Sequence, residues 1–150
     1  MKAKKALGIG CACLGALAVL VVGLLIWSMS GDHSVYVTSA PAHQLAPAAA
    51  RSIDYYESRD FGGIVSVSYL VDEAEFRKFA GEQGWNLTEK QEIRVDVRSL
   101  LPSDWAAKDT SKSGTLGPCL WFEVLQKNNG GITVIYLPAE SRAIINKAAR

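Results

Sequence analysis

Hydrophobic residues along this chain follow three different rhythms. The first is an unbroken run: from Ala6 to Trp27, 22 successive residues carry no charge. As a helix rising 1.5 Å per residue, such a run spans the roughly 30 Å hydrocarbon core of a bilayer, and Trp27 falls where an indole ring rests at the interface. The second is the two-residue alternation of a strand. "IVSVSYLV" (64–71) sets Val65, Val67, Tyr69 and Val71 against Ile64, Ser66, Ser68 and Leu70, and "EIRVDVRSL" (92–100) turns Ile93, Val95 and Val97 inward. The third is helical. In "VDEAEFRKFAGEQGW", Phe76, Phe79 and Ala80 make one apolar stripe. Asp72 stands at its N-cap with Glu75 three residues on, and Val71 is placed to staple onto Phe76. Gly84 ends the helix, with Trp85 folding back on Ala80.

Turn chemistry supplies the rest. "CLWFEVLQK" and "GITVIYLP" flank Asn128-Asn129-Gly130-Gly131, a sequence that favours the positive backbone angles of a tight hairpin. "SIDYYES" reads as a first strand, and "AESRAIINKAAR" as a last strand after a turn, with a terminal helix as its alternative. "LLPSDWAAKDTSKSGTLGP" (100–118) reads as a long polar loop holding Trp105. Residues 30–50, with Pro41 and Pro47 among small residues, read as a tether in which "HSVYVT" forms a short strand at most. The expected architecture is α+β: an N-terminal single transmembrane helix, a linker, then a small, mostly antiparallel sheet packed by one helix. Its divisions are 1–30 (cytoplasmic stub and anchor), 31–50 (Ala/Pro-rich linker) and 51–150 (extracytoplasmic domain).

Charge gives the apolar run a direction. Lys2, Lys4 and Lys5 precede it and no further Lys or Arg occurs before Arg51, which orients the N-terminus to the cytoplasm and the domain to the periplasm or exterior of the cell membrane. A cleaved secretory signal is the alternative, with Ser28 and Ser30 at the cleavage positions, but its apolar region usually runs only about 7–15 residues. Beyond the anchor there are 13 basic and 15 acidic residues, without the positive stripe that nucleic acid requires, so nucleic acid is not an expected partner. Gly8, Ala12 and Ala16 recur every four residues and offer a small-residue face for helix self-association. Cys11 and Cys13 point to nearly opposite sides of a helix, cannot bridge each other, and read as small apolar residues. The short basic leader ending in Gly8 also resembles that of a type IV prepilin. Cys13 stands where that family carries glutamate, and Pro41 and Pro47 interrupt the long helix a pilin needs.

Recognisable chemistry is sparse. His33 and His43 are the only histidines and both precede the expected domain, which argues against a catalytic triad or a histidine metal site. No catalytic residue, cofactor or metal is assigned. Cys119 reads as a core thiol. Asp54, Glu57 and Asp60 read as an exposed turn, and Asp72, Glu73 and Glu75 as the acidic start of a helix. A domain of this size needs Tyr55, Tyr56, Phe61 and Trp121 for its core, and Trp105 is the candidate exception because of its loop. "NLT" at Asn86 is a glycosylation sequon only in a eukaryotic secretory pathway.

The order "SIDYYESRDF", "FRKFAGEQGW", "GGITVIYL" resembles a pattern found in small uncharacterised bacterial membrane-anchored envelope proteins. That resemblance implies an α+β domain outside a membrane and no assigned activity. The expected function is non-enzymatic: a domain anchored in the lipid bilayer that binds another envelope protein or serves as an accessory subunit. The alternatives are an envelope enzyme using carboxylates near the 100–118 loop, and a pilin-like structural subunit.

Overall fold

The computed structural model describes residues 19–24, 34–58, 63–96, 101–107, 113–127 and 130–148. Residues 19–24 are helical (α1), with Val19, Leu20, Val21, Val22 and Leu24 exposed. The rest of the expected span, including Gly8, Ala12, Ala16, Cys11 and Cys13, lies outside the described residues. Among the described residues no helix is long and apolar enough to cross a membrane. His33–Arg150 forms a unit of its own.

Within that unit the strands are β1 (Ser34–Ala40), β2 (Arg51–Ser58), β3 (Ile64–Leu70), β4 (Thr88–Lys90), β5 (Ile93–Asp96), β6 (Ser113–Leu116), β7 (Cys119–Leu125), β8 (Gly131–Leu137) and β9 (Arg142–Ala148). Two helices join them, α2 (Glu73–Glu82) and α3 (Pro102–Ala107). Seven strands form one antiparallel sheet in the order β1-β2-β3-β9-β8-β7-β4, while β5 and β6 pair separately. The expected β7–β8 hairpin is present, as is the closing strand β9, which runs between β3 and β8.

Residues 34–50 are not a linker. β1 lies along β2 with Tyr36 opposite Tyr56, and a bulge between Val37 and Ala40 is held by the Ser39 N–H donating to Asp54 Oδ1 at 2.9 Å. Asp54 is thus a strand residue holding a bulge, not part of an exposed turn. The chain then crosses back as a strap of two turns, closed by N–H bonds from Ala46 to His43 O and from Ala50 to Pro47 O. The strap places Leu45 in the core at 8% exposure. Residues 100–118 are not one long loop either, because α3 and β6 interrupt them. Trp105 lies on α3.

Alternation assigns the two faces of the sheet. Ile53, Val67, Tyr69, Val134, Tyr136, Ala143 and Ile145 face α2, whose buried stripe is the expected Phe76, Phe79 and Ala80. Phe76 stacks on Tyr136 with ring centroids 4.7 Å apart, and the Tyr136 hydroxyl donates to Val71 O. The helix ends in a Schellman motif: Gly84, at φ +72°, sends its N–H to Gly81 O, and Trp85 N–H reaches Ala80 O at 2.8 Å. Its start departs from expectation. Asp72 has the extended N-cap backbone but no side-chain cap bond, and the acidic first turn serves Arg77 instead, through Glu73 Oε1 at 2.7 Å. The opposite face is covered too, so one helix does not account for the packing. Ile93 of β5 and Leu116 of β6 close over Cys119, Ile135 and Ile144, and α3 lies against β1, β2 and β3. Ser66 and Ser68, the polar-leaning side of β3, are therefore buried.

Candidate functional site

α2 is too short to cover its face of the sheet. Ten residues make it about 15 Å long, against about 23 Å for a seven-residue strand. Register defines the row left over at one end. Val35 is opposite Glu57, Glu57 opposite Val65, Val65 opposite Lys147, Lys147 opposite Ile132, and Ile132 opposite Val124. Directly paired residues share a face, so these six side chains form one line across β1, β2, β3, β9, β8 and β7. Val35 and Val124 are 40% and 47% exposed.

At the β7 end this row floors a groove of about 610 Å³. Leu45 of the strap and Trp85, just past α2, supply walls, and Gln83 and Gln126 add amide groups. Trp85 is fixed on both sides, edge-on to Phe79 at 5.6 Å and stacked with Phe122 at 6.4 Å. Among the described lining residues Lys147 is the charged one. The groove thus combines apolar surface, amides and one ammonium, a chemistry suited to holding an amphipathic segment with a carboxylate.

The strap ties this wall to pH. His43 Nδ1 accepts the Leu45 N–H at 3.1 Å, and its ring lies 4.9 Å from that of Tyr55. Burial pushes its pKa below the ordinary 6.5, with Glu57 opposing. Protonation occupies the nitrogen that receives Leu45, so the neutral ring is the native form. Above about pH 6.5 the ring is neutral in both folded and unfolded chains and stability is complete. As pH falls below that value the unfolded chain takes up the proton first, and stability declines until the lower folded-state pKa is passed. Urea midpoints at about pH 7.5 and pH 5 should therefore fall with acid in the natural chain and fall less in His43→Gln. An equal decline in both would remove His43 from the account.

The carboxylates expected as possible catalysts are spread out. Asp54 holds the β1 bulge, Glu73 pairs with Arg77, and Glu57 stands in the groove row next to Val65. Asp54 and Asp104 of α3 act, after burial, to push the Tyr36 hydroxyl pKa up. Asp60 and Phe61 lie outside the described residues, as does the side chain of Trp105. Tyr55 packs on the core, and Trp121 on the opposite layer. Cys119 is buried, and burial raises its thiol pKa against the lowering field of Lys90. The Tyr69 hydroxyl is buried without a hydrogen-bond partner, and burial pushes its pKa up. Among the described residues no cluster of three or more His, Cys, Asp or Glu is placed to hold a metal ion.

Sequence reasoning did not single out Leu45, Val124, Ile132 or Lys147. Alternation in "CLWFEVLQK" and "GITVIYLP" marks Val124 and Ile132 as sharing a face, but only the mismatch between helix and strand lengths shows that their row stays open. Leu45 was concealed by its Ala/Pro-rich surroundings. No protein-family model, curated protein or solved structure significantly matches the chain.

Proposed function

We propose that the chain is a non-catalytic binding subunit of a bacterial envelope, anchored by the Ala6–Trp27 run with its folded domain outside the cell membrane. Its groove takes an extended apolar segment of another envelope protein, ending in or carrying a carboxylate. The anchor reading rests on the 22 uncharged residues behind three lysines. The binding reading rests on one observation: the Val124–Ile132–Lys147 row lies open between Leu45 and Trp85. An apolar floor beside the Lys147 ammonium, the one charge among the described lining residues, favours an apolar ligand that carries a negative charge over a neutral one.

The test uses the full chain and a synthetic probe, the hexapeptide Thr-Leu-Thr-Leu-Thr-Leu with a free C-terminal carboxylate. Saturable binding at about 0.1 mM or tighter is expected, weakened at least about tenfold by C-terminal amidation, by Lys147→Gln and by Val124→Asp. Val124 is exposed, so its change reports on the groove and not on folding. Equal affinity for the amidated peptide, or indifference to Val124→Asp, would overturn the assignment.

A further inference from the structure

The seven-stranded sheet has two ends of different character. β4 closes one end with three exposed residues, Thr88–Lys90, of which Glu89 and Lys90 are charged. Short length and charge are the means by which a sheet edge resists pairing with another chain. β1 closes the other end with seven residues, Ser34–Ala40, none of them charged and none proline. Among the described strands it has β2 on one side and no neighbour on the other. α3 approaches β1, yet Val35 and Tyr36 stay 40% and 41% exposed, and Thr38 is exposed as well. An uncharged, β-branched edge of this kind is a template for one more strand.

The order of its residues selects the strand that fits. Ser34-Val35-Tyr36-Val37-Thr38 reads alike in both directions: hydroxyl, valine, tyrosine, valine, hydroxyl. Antiparallel pairing of this segment with itself, centred on Tyr36, sets tyrosine opposite tyrosine, Val35 opposite Val37, and Ser34 opposite Thr38. Aromatic, β-branched and hydroxyl pairs of this sort are each favourable across strands. The backbone confines the pairing to the same five residues. The β1–β2 ladder is regular from Ser34 to Val37, the bulge follows before Ala40, and Ser39 at φ +54° turns the strand away. Tyr36 is therefore the midpoint of the straight segment as well as of the sequence pattern. With no charge among the five, nothing in the segment repels its own copy.

We infer that β1 is a self-association edge, at which two copies of the chain pair Ser34–Thr38 antiparallel about a two-fold axis at Tyr36 and join their seven-stranded sheets into one. Each copy uses the same edge, so the assembly closes at a dimer and leaves the β4 ends apart. The inference does not rest on the groove reading.

The test is disulfide trapping in the full chain, held in detergent, with Cys11 and Cys13 changed to Ala and the buried Cys119 kept. Facing residues of an antiparallel pair have Cα atoms about 4.5–5.5 Å apart, within the span of a disulfide. Under mild oxidation Tyr36→Cys should therefore form a covalent dimer at least about tenfold faster than Glu89→Cys, at the opposite edge. Two further changes in the Tyr36→Cys chain test the register. Ser34→Lys with Thr38→Lys places like charges face to face across the dyad and should slow trapping at least about tenfold, whereas Ser34→Lys with Thr38→Glu places opposite charges there and should preserve it. Within one chain positions 34 and 38 are about 13 Å apart, so both pairs of changes are tolerated alike by the monomer. Equal trapping at positions 36 and 89, or equal rates in the Lys/Lys and Lys/Glu chains, would overturn the inference and leave the edge to a strand of another protein.

Discussion

Phe76→Ala is expected to lower the unfolding free energy by about 3–5 kcal/mol, a large share of the roughly 5–15 kcal/mol available to a domain. Phe76 is 0% exposed, stacks on Tyr136, and shares its cluster with Val71, the residue whose carbonyl receives the Tyr136 hydroxyl. Removing the ring takes away its transfer energy and opens a cavity bounded by strands β3, β8 and β9, which cannot collapse because each is paired on both sides. Arg77→Ala provides the contrast. Its ion pair with Glu73 joins two side chains more than 40% exposed, so it contributes no more than about 1 kcal/mol. Urea unfolding of both variants checks the difference, and similar midpoints would show that α2 is not seated as described.

Gly131→Ala is the second large effect, a loss of about 3–4 kcal/mol. Gly131 opens β8 at φ +141°, and a Cβ there would collide with the carbonyl oxygen of Val124 on β7. That oxygen belongs to backbone, so relief requires the two strands to part at the place where Leu125 and Gly131 face each other. Because Gly131 and Val124 both line the groove, the same change should also reduce hexapeptide binding. Gly81→Ala is the control with the opposite sign. It is exposed on α2 with nothing near its would-be Cβ, and alanine there should stabilise by about 0.8 kcal/mol through helix propensity. Thermal midpoints moving in opposite directions would bear this out; a Gly131→Ala chain as stable as the natural one would contradict the close strand approach.

Local signals proved legible where local chemistry decides the outcome. The stripe Phe76, Phe79, Ala80, the Gly84 terminus with Trp85 returning to Ala80, the alternation around Val67 and the β7–β8 hairpin all depend on neighbours within a few residues. Misreadings arose where distant partners decide. The Ala/Pro-rich stretch after Ser34 has a linker's composition, yet β2 offers β1 a partner and the core has room for Leu45. Residues 100–118 have a loop's polarity, yet a second layer over Cys119, Ile135 and Ile144 recruits β6. Asp72 has the right residue type for a cap, but its side chain makes no cap bond. The groove was illegible for a geometric reason: whether Val124 and Ile132 end up covered depends on how far α2 extends along strands that pair only in the folded sheet.

The position of β9 bears on the order in which the domain can be completed. It joins β3, made more than seventy residues earlier, to β8, pairing Val67 with Ile145 on one side and Val134 with Ile145 on the other. A nascent chain that stops short of Arg142 therefore holds two half-sheets, β1-β2-β3 and β8-β7-β4, each with an unpaired inner edge and no shared neighbour among the described strands. Such long-range pairing makes closure late and slow. The central strand is thus the last of the nine described strands to arrive.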